Sequence, residues 1–495
     1  GSIEQQETLP SGYGAAYGRS AGGVISQLGK SGTNDWHFGA QAMWQPAFAR
    51  STTDNILYAN PLRPSTVGTT YRYRQDNSQW ETVYDAYVSG PLIKDKLFFF
   101  ISAEADKTQA DANGSVGTAH MDKQKFSDPK FYAKLDWNIN DSNVLSLTGI
   151  ENKHQFSGSE YLYDNTAHQI ADFDSYDPST KSSFCIWIAK YTGYITDNLT
   201  VNAMYGKLSG TYYSQIPGSV ASPLPNIINP DQQNTNLPGV GPNGITNANT
   251  QAAVGSPDHK SSTSNLRLDL DWKLGHHDLQ FGIDNQLTQD LGDGSLTTGP
   301  GYAWDYSNIG GYQVGNDPTR APWVDDPANY PNSTNPASPG KVYSVSKYVF
   351  LTSASLSVKQ HAQYIQDNWQ VTDNLLLNLG LRNDEFTNYN SNALPYVRLT
   401  HGQWAPRLGF SWDVFGDASM KVFGNVGRYY LALPTSVALR EASSSTYVQS
   451  YYTYSGIDAN GIPTGLIPIN SQGQTAGPGV PVSQNNEYGQ PLDPN

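Results

Sequence analysis

The sequence predicts an all-β chain folded as a transmembrane antiparallel β-barrel, and three observations predict it. Short polar turns alternate without exception with long connections, as in a barrel with tight turns at one membrane face and long loops at the other. Several strand-like runs set a wholly apolar series against a charged one at period two, which suits lipid outside and water inside. Trp137, Trp272, Trp369 and Trp412 each lie three residues before a short turn, so four strands set an indole at one depth. An indole suits a membrane interface through its apolar ring and polar N–H.

Taken in order, residues 1–33 read as the end of a separate N-terminal domain. Gly18, Gly22 and Gly23 are placed to let the backbone turn tightly. Val24-Ile25 follows, then a polar turn from Lys30 to Asn34, and the aromatic, alternating pattern begins near Trp36. Short turns fall at 94–96, 140–143, 196–198, 275–277, 372–374 and 415–418. Long connections fall at 51–79, 107–127, 158–181, 214–262, 292–344, 389–402 and 431–495. Residues 34–430 thus hold about thirteen strands, with one of them running unbroken over 345–371. The clearest has Leu266, Leu268, Leu270, Trp272 and Leu274 on one face and Arg267, Asp269, Asp271 and Lys273 on the other. The apolar set is expected to meet lipid and the charged set the lumen.

Composition fits this class and excludes others. The 495 residues carry a net charge of −14, and their 30 Lys and Arg are scattered, which argues against a nucleic-acid partner. No apolar run is long enough for a transmembrane helix, but alternating strands average to a polar hydropathy and escape that test. The single Cys185 permits no internal disulfide and reads as a small apolar group.

Catalytic and metal motifs fail on context. Gly18 to Gly22 fits G-x-S-x-G, yet no helix pattern follows it. Gly29-Lys30-Ser31 resembles the end of a phosphate-binding loop, but the glycine required five positions earlier is Val24. Gly239 to Gly244 fits G-x-G-x-x-G inside a Pro/Asn-rich loop and reads as a turn cluster. Asp172, Asp174 and Asp177 lack the glycine and terminal Glu of a calcium loop, and the nine His show no zinc spacing. No catalytic residue, metal site or cofactor is expected. The 292–344 connection differs in kind: Trp304, Tyr306 and Trp323 stand among Gly, Pro and Asp, and rigid aromatics on an external loop are expected to contact substrate.

The run AYGRSAGG…KSGTN from Ala16 to Asn34 resembles the plug-to-barrel junction of outer-membrane TonB-dependent receptors, in particular their Oar-like branch. Two hairpins add to it: Gly90 to Phe100 (GPLIKDKLFFF) and Gln366 to Arg382 (QDNWQVTDNLLLNLGLR). The resemblance implies a ligand-gated importer and not an enzyme. It implies a plug ending near residue 33, whose Arg19 and Lys30 pair with acidic lumen residues. It also implies partners: TonB with ExbB and ExbD, the bilayer with its lipopolysaccharide, and an unknown extracellular substrate such as a peptide or oligosaccharide. The barrel it implies has about twenty-two strands. The thirteen read here are therefore expected to form an open, curved sheet, with 431–495 extracellular and the closing strands after Asn495. Two rivals stand beside this reading: a passive porin or adhesin barrel, and a secreted soluble β-sandwich that binds glycans or acts as an enzyme.

Overall fold

The computed structural model describes residues 2–9, 12–59, 65–219, 221–256, 259–308, 343–352, 354–435, 446–468 and 484–488. One large antiparallel sheet organises them. Its path is β1 (His37–Gln45), β2 (Ser78–Ile93), β3 (Leu97–Asn113), β4 (His120–Asn140), β5 (Asn143–Asp164), β6 (Ser179–Thr196), β7 (Leu199–Gln215), β8 (Lys260–Leu274), β9 (His277–Asp293), β10 (Ala354–Thr372), β11 (Leu375–Tyr389), β12 (Trp404–Asp413) and β13 (Lys421–Gly427). Each strand pairs with its sequence neighbours, so the backbone is satisfied inside the sheet, as hydrocarbon requires. Gln169–Tyr176 adds to β5 and Pro395–Leu399 to β11. The sheet is open between β1 and β13 among the described residues.

Directly paired residues share a face, so the register carries one face across the sheet. Phe38, Phe131, Trp137, Leu147, Trp187, Tyr205, Leu266, Leu268, Trp272, Leu408 and Trp412 are all exposed on the outer face. Trp369 shares that face and stacks on His277 with centroids 5.2 Å apart. On the inner face lie Phe100, Tyr132, Asp284, Tyr364, Arg382 and Arg407, all buried.

Two expectations about element bounds are corrected. The connections at 107–127 and 158–181 are mostly strand: β3 and β4 continue to Asn113 and His120, and β5 runs on to Asp164. Their polar sequences hid strands that project beyond the apolar band. The unbroken strand over 345–371 is two strands in two sheets, Ser344–Leu351 and β10. Gly294, at φ +125°, lies against Thr352, and the register between β9 and β10 slips between Asp290 and Asp293. A chain that turns there leaves the barrel sheet.

Ser344–Leu351 enters a second sheet built from the long connections. It pairs with Ala303–Ser307 on one side and Thr446–Thr453 on the other. Asn226–Ile228, Ala253–Gly255, Ser295–Thr297, Ile467–Pro468 and Gln484–Tyr488 complete it. Ile227, Trp304, Tyr306, Tyr343, Val345 and Tyr454 form its core. The N-terminal segment forms a hairpin of its own, Ile3–Leu9 against Val24–Gly29, whose connection reaches the barrel wall.

Candidate functional site

Residues 12–19 press against the inner face of β8 to β13, and the wall grips their main chain. Arg407 of β12 donates from Nη1 to the carbonyls of Tyr13, Gly14 and Tyr17. Arg382 of β11 donates from Nη1 to the Ala15 carbonyl at 3.3 Å. The Ala16 N–H donates to Oε1 of Gln366 on β10 at 3.0 Å. The rings follow the backbone: Tyr13 packs on Tyr429 at 5.1 Å, and the Arg407 guanidinium lies 4.4 Å from the Tyr429 ring. The Arg267 guanidinium stands between Tyr17 and Tyr364, at 5.8 and 5.7 Å.

A chain of charges closes the contact. Arg19 Nη2 lies 2.8 Å from Asp284 Oδ1, and Asp284 Oδ2 lies 3.0 Å from Arg382 Nη2. Arg382 Nε in turn lies 2.9 Å from Asp384 Oδ1. Asn265 donates to Asp284 at 2.9 Å and Gln360 to Asp384 at 3.1 Å. Arg382 and Asp284 are 0% and 1% exposed. Two cations and two anions balance and further donors satisfy the carboxylates, which is the condition for burying such a group. Period two explains the placement. Arg382 and Asp384 are two apart on one face, Arg267 pairs directly with Asp284, and Tyr364 pairs directly with Arg382.

Close approach needs glycine on both sides of the contact. A Cβ at Gly18 would collide with the Arg382 guanidinium, and one at Gly380 would sit 3.0 Å from the Ala15 Cβ. The expectation that glycines supply the turn's unusual torsions is corrected. Neither Gly18 nor Gly22 is left-handed, and the left-handed residue is Arg19, at φ +61°. That conformation costs a non-glycine residue on the order of 1 kcal/mol, which its ion pair with Asp284 offsets. Gly22 and Gly23 donate their N–H groups to Ser20 Oγ at 3.3 and 3.2 Å, so Ser20 organises the turn.

A second grip holds the polar turn. Tyr132 donates its hydroxyl to the Lys30 carbonyl at 3.0 Å, and Lys134 Nζ donates to Ser31 Oγ at 2.7 Å. Lys30 was expected to pair through its charge. Its side chain is exposed and makes no ion pair among the described residues, so its backbone is the contact. Arg267 and Asp269 face inward as a 2.7 Å pair, and Asp271 accepts from Asn202 at 3.0 Å. Lys273 is exposed near the turn.

The aromatic expectation is also corrected. Trp304 and Tyr306 are 5% and 0% exposed in the core of the second sheet, where Tyr306 donates to the Gly461 carbonyl at 2.7 Å. Rings so enclosed offer no face to a ligand; their area holds the loops together. Trp323 lies outside the described residues. Burial raises the Tyr306 hydroxyl pKa, and burial likewise raises that of Asp305 against an opposing hydrogen bond from Asn229.

Sequence reasoning reached Arg19 but not its partners Asp284, Arg382 and Asp384, nor Arg407. A usable signal was present: Lys134-x-Asp136, Arg267-x-Asp269 and Arg382-x-Asp384 repeat a cation and an acid on one inner face. In all three strands the cation touches the N-terminal segment.

The outer membrane beta barrel domain family matches residues 107–397. The TonB-dependent transporter Oar of Myxococcus xanthus is 26% identical over 501 residues, covering 88% of this chain and 44% of that protein. The structure of the outer membrane transporter YddB from Escherichia coli superposes with a TM-score of 0.50 at 13% identity, over 92% of this chain and 54% of that one. The chain thus spans about half the length of the relatives it matches. The family match takes in more than half of the residues, so the chain belongs to the outer membrane beta barrel domain family, is related to the TonB-dependent transporters of Oar type, and has its place in the outer membrane of Gram-negative bacteria.

Proposed function

We propose that the chain is part of a TonB-dependent importer, with residues 1–33 the end of the plug, 34–430 the barrel wall and 431–495 extracellular. One observation carries this reading: a segment lying inside the wall and held there by Arg19, Asp284, Arg382 and Arg407. A passive pore has no use for an obstruction bound so closely. Two open sheet edges in hydrocarbon would each leave a row of unpaired backbone groups, at several kcal/mol per group. The working barrel therefore closes through further strands between β13 and β1. In this reading TonB, energised by ExbB and ExbD, pulls the plug and breaks the charge chain at Arg19, the partly exposed member. The substrate is a large or scarce solute such as a peptide or an oligosaccharide.

The test is a cross-link. Ala15→Cys with Gly380→Cys, in a Cys185→Ser background, ties the segment to the wall. Uptake of the native solute should stop under oxidation, return with reductant, and require TonB. Uptake that ignores both the cross-link and the loss of TonB would sink the importer reading in favour of a porin.

A further inference from the structure

Where β4 and β5 project beyond the apolar band, the register brings acids and a histidine together on the inner face. Asp122 of β4 pairs directly with Glu160 of β5, and Glu160 pairs directly with Ser175 of the added strand Gln169–Tyr176. Like charges set directly opposite on a sheet are destabilising, so packing alone gives no reason for this row. His120 precedes Asp122 by two residues and shares its face. Ordinary alternation would put Asp174 and Ser175 on opposite faces. The register slips between Phe173 and Ser175, and this bulge lets both side chains meet Glu160. Ser175 Oγ lies 3.2 Å from Glu160 Oε2 and 3.2 Å from Asp174 Oδ2, and its single proton can serve only one of them.

The donor atoms converge. One each from His120, Glu160 and Asp174 lies within 4.8 Å of the other two, and His120 Nε2 is 3.5 Å from Asp174 Oδ2. Two ligands of a tetrahedral zinc ion, at bond lengths of about 2.1 Å, stand roughly 3.4 Å apart. A second, independent observation points to a cation. Asp177 Oδ2 is closed off from solvent and has no hydrogen-bond partner among the described residues. Its charged neighbours are Glu160 and Asp122, both acids. A Cβ at Gly158, two residues before Glu160 on the same face, would collide with this oxygen, so the glycine is what admits the carboxylate. Asp122 has Arg72 as a cationic neighbour, which leaves four acids against one fixed cation and one imidazole.

We propose that His120, Glu160 and Asp174 bind a divalent transition-metal ion of the zinc class, with Asp122 and Asp177 supplying the surrounding negative charge. The proposal is independent of TonB-driven import. The donor set selects the class. Imidazole with carboxylates suits zinc and its first-row neighbours, whereas calcium takes about six to eight oxygens and has no use for a ring nitrogen. The three ligands come from β4, β5 and Gln169–Tyr176, so the ion staples the added strand to the barrel wall. Spacing along the chain does not show the group, because each ligand sits on a different strand and only the register assembles them.

The experiment strips the purified, detergent-solubilised protein with a chelator and titrates it calorimetrically with zinc chloride and with calcium chloride. Zinc should bind as a single saturable site and slow hydrogen exchange over Gln169–Tyr176. His120→Gln and Glu160→Gln should each weaken zinc at least about tenfold, since even changes behind a metal's ligands cost about 10–100-fold. His154→Gln, on the same inner face but paired with Asp128, is the control and should match wild type. A readout on the unaltered protein covers the case of a variant that does not fold. Saturating zinc should protect His120 from diethyl pyrocarbonate and leave His154 reactive, as measured by mass spectrometry. Absence of saturable zinc binding, equal modification of His120 with and without zinc, or ligand variants that match His154→Gln overturns the proposal. Calcium binding tighter than zinc and indifferent to His120→Gln overturns the transition-metal assignment in favour of an all-oxygen site.

Discussion

Asp284→Asn tests the charge chain at its centre. Asp284 accepts from Arg19 and Arg382 at once, and the substitution keeps its shape while removing its charge. Removing one partner of a buried ion pair costs about 3–5 kcal/mol. Arg382 retains Asp384, so the lower end applies, about 3 kcal/mol. Arg19 is 29% exposed and regains water, so its own share is small. The loss falls on the docking of residues 12–19, whose amides at Ala16 and Tyr17 are tied to Gln366 and to the Gly14 carbonyl. A loss of about 3 kcal/mol raises the open population by roughly a hundredfold. Hydrogen exchange followed by mass spectrometry on the detergent-solubilised protein should show this acceleration in peptides covering 12–19, with β3 to β6 unchanged. Arg19→Met alone should accelerate exchange less, and the double variant should fall short of the sum because the residues are in contact. Unchanged exchange over 12–19 in Asp284→Asn would refute the assignment of these charges as the hold on the segment.

Three further outcomes are expected. Leu268→Arg places a cation on the outer face near mid-membrane and should cost about 2–4 kcal/mol in reversible folding into lipid vesicles. Tyr306→Phe leaves the Gly461 carbonyl without its buried donor and should destabilise the second sheet by about 1–3 kcal/mol, read as faster proteolysis of residues 446–468 with the barrel intact. Burial raises the Asp305 pKa above 3.8, so its stabilisation of the second sheet is full below that pH and is lost as pH rises through the folded value; Asp305→Asn, which keeps the acceptor for Asn229, should flatten that loss in exchange measured from pH 4 to 7.

The sequence made the barrel wall legible because alternation is local. Leu266 to Leu274 names its own faces, and each short turn announces itself in three or four residues. Strand ends were less legible: β3 to β5 continue through polar sequence that reads as loop, because projecting strands need no apolar face. The break at Gly294 and Thr352 was invisible, since Ser344–Leu351 and β10 are both good strands and only their partners differ. The site divides in the same way. Arg19 stands in a recognisable run, but Asp284 lies 265 residues away, and only the register of β8 to β12 brings the two together. Trp304 and Tyr306 show the opposite error, where aromatic density signalled a core instead of a contact surface.

The wall holds the N-terminal segment by its carbonyls more than by its side chains. Tyr13, Gly14, Ala15 and Tyr17 offer their C=O groups to Arg382 or Arg407, and Gly29 and Lys30 do the same for Lys134 and Tyr132. Every residue type carries that group, so these bonds read the path of the segment, and its spelling matters where side chains meet the wall, at Tyr13, Ala15 and Tyr17. Bulk at Gly14, Gly18 or Gly29, or loss of charge at Arg19, disturbs the fit. For protein engineering, a segment grafted from another chain should seat in this wall if it keeps those glycines, that arginine, the ring at Tyr13, small residues at Ala15 and Ala16, and the same trace. The barrel is then a reusable socket for foreign inserts.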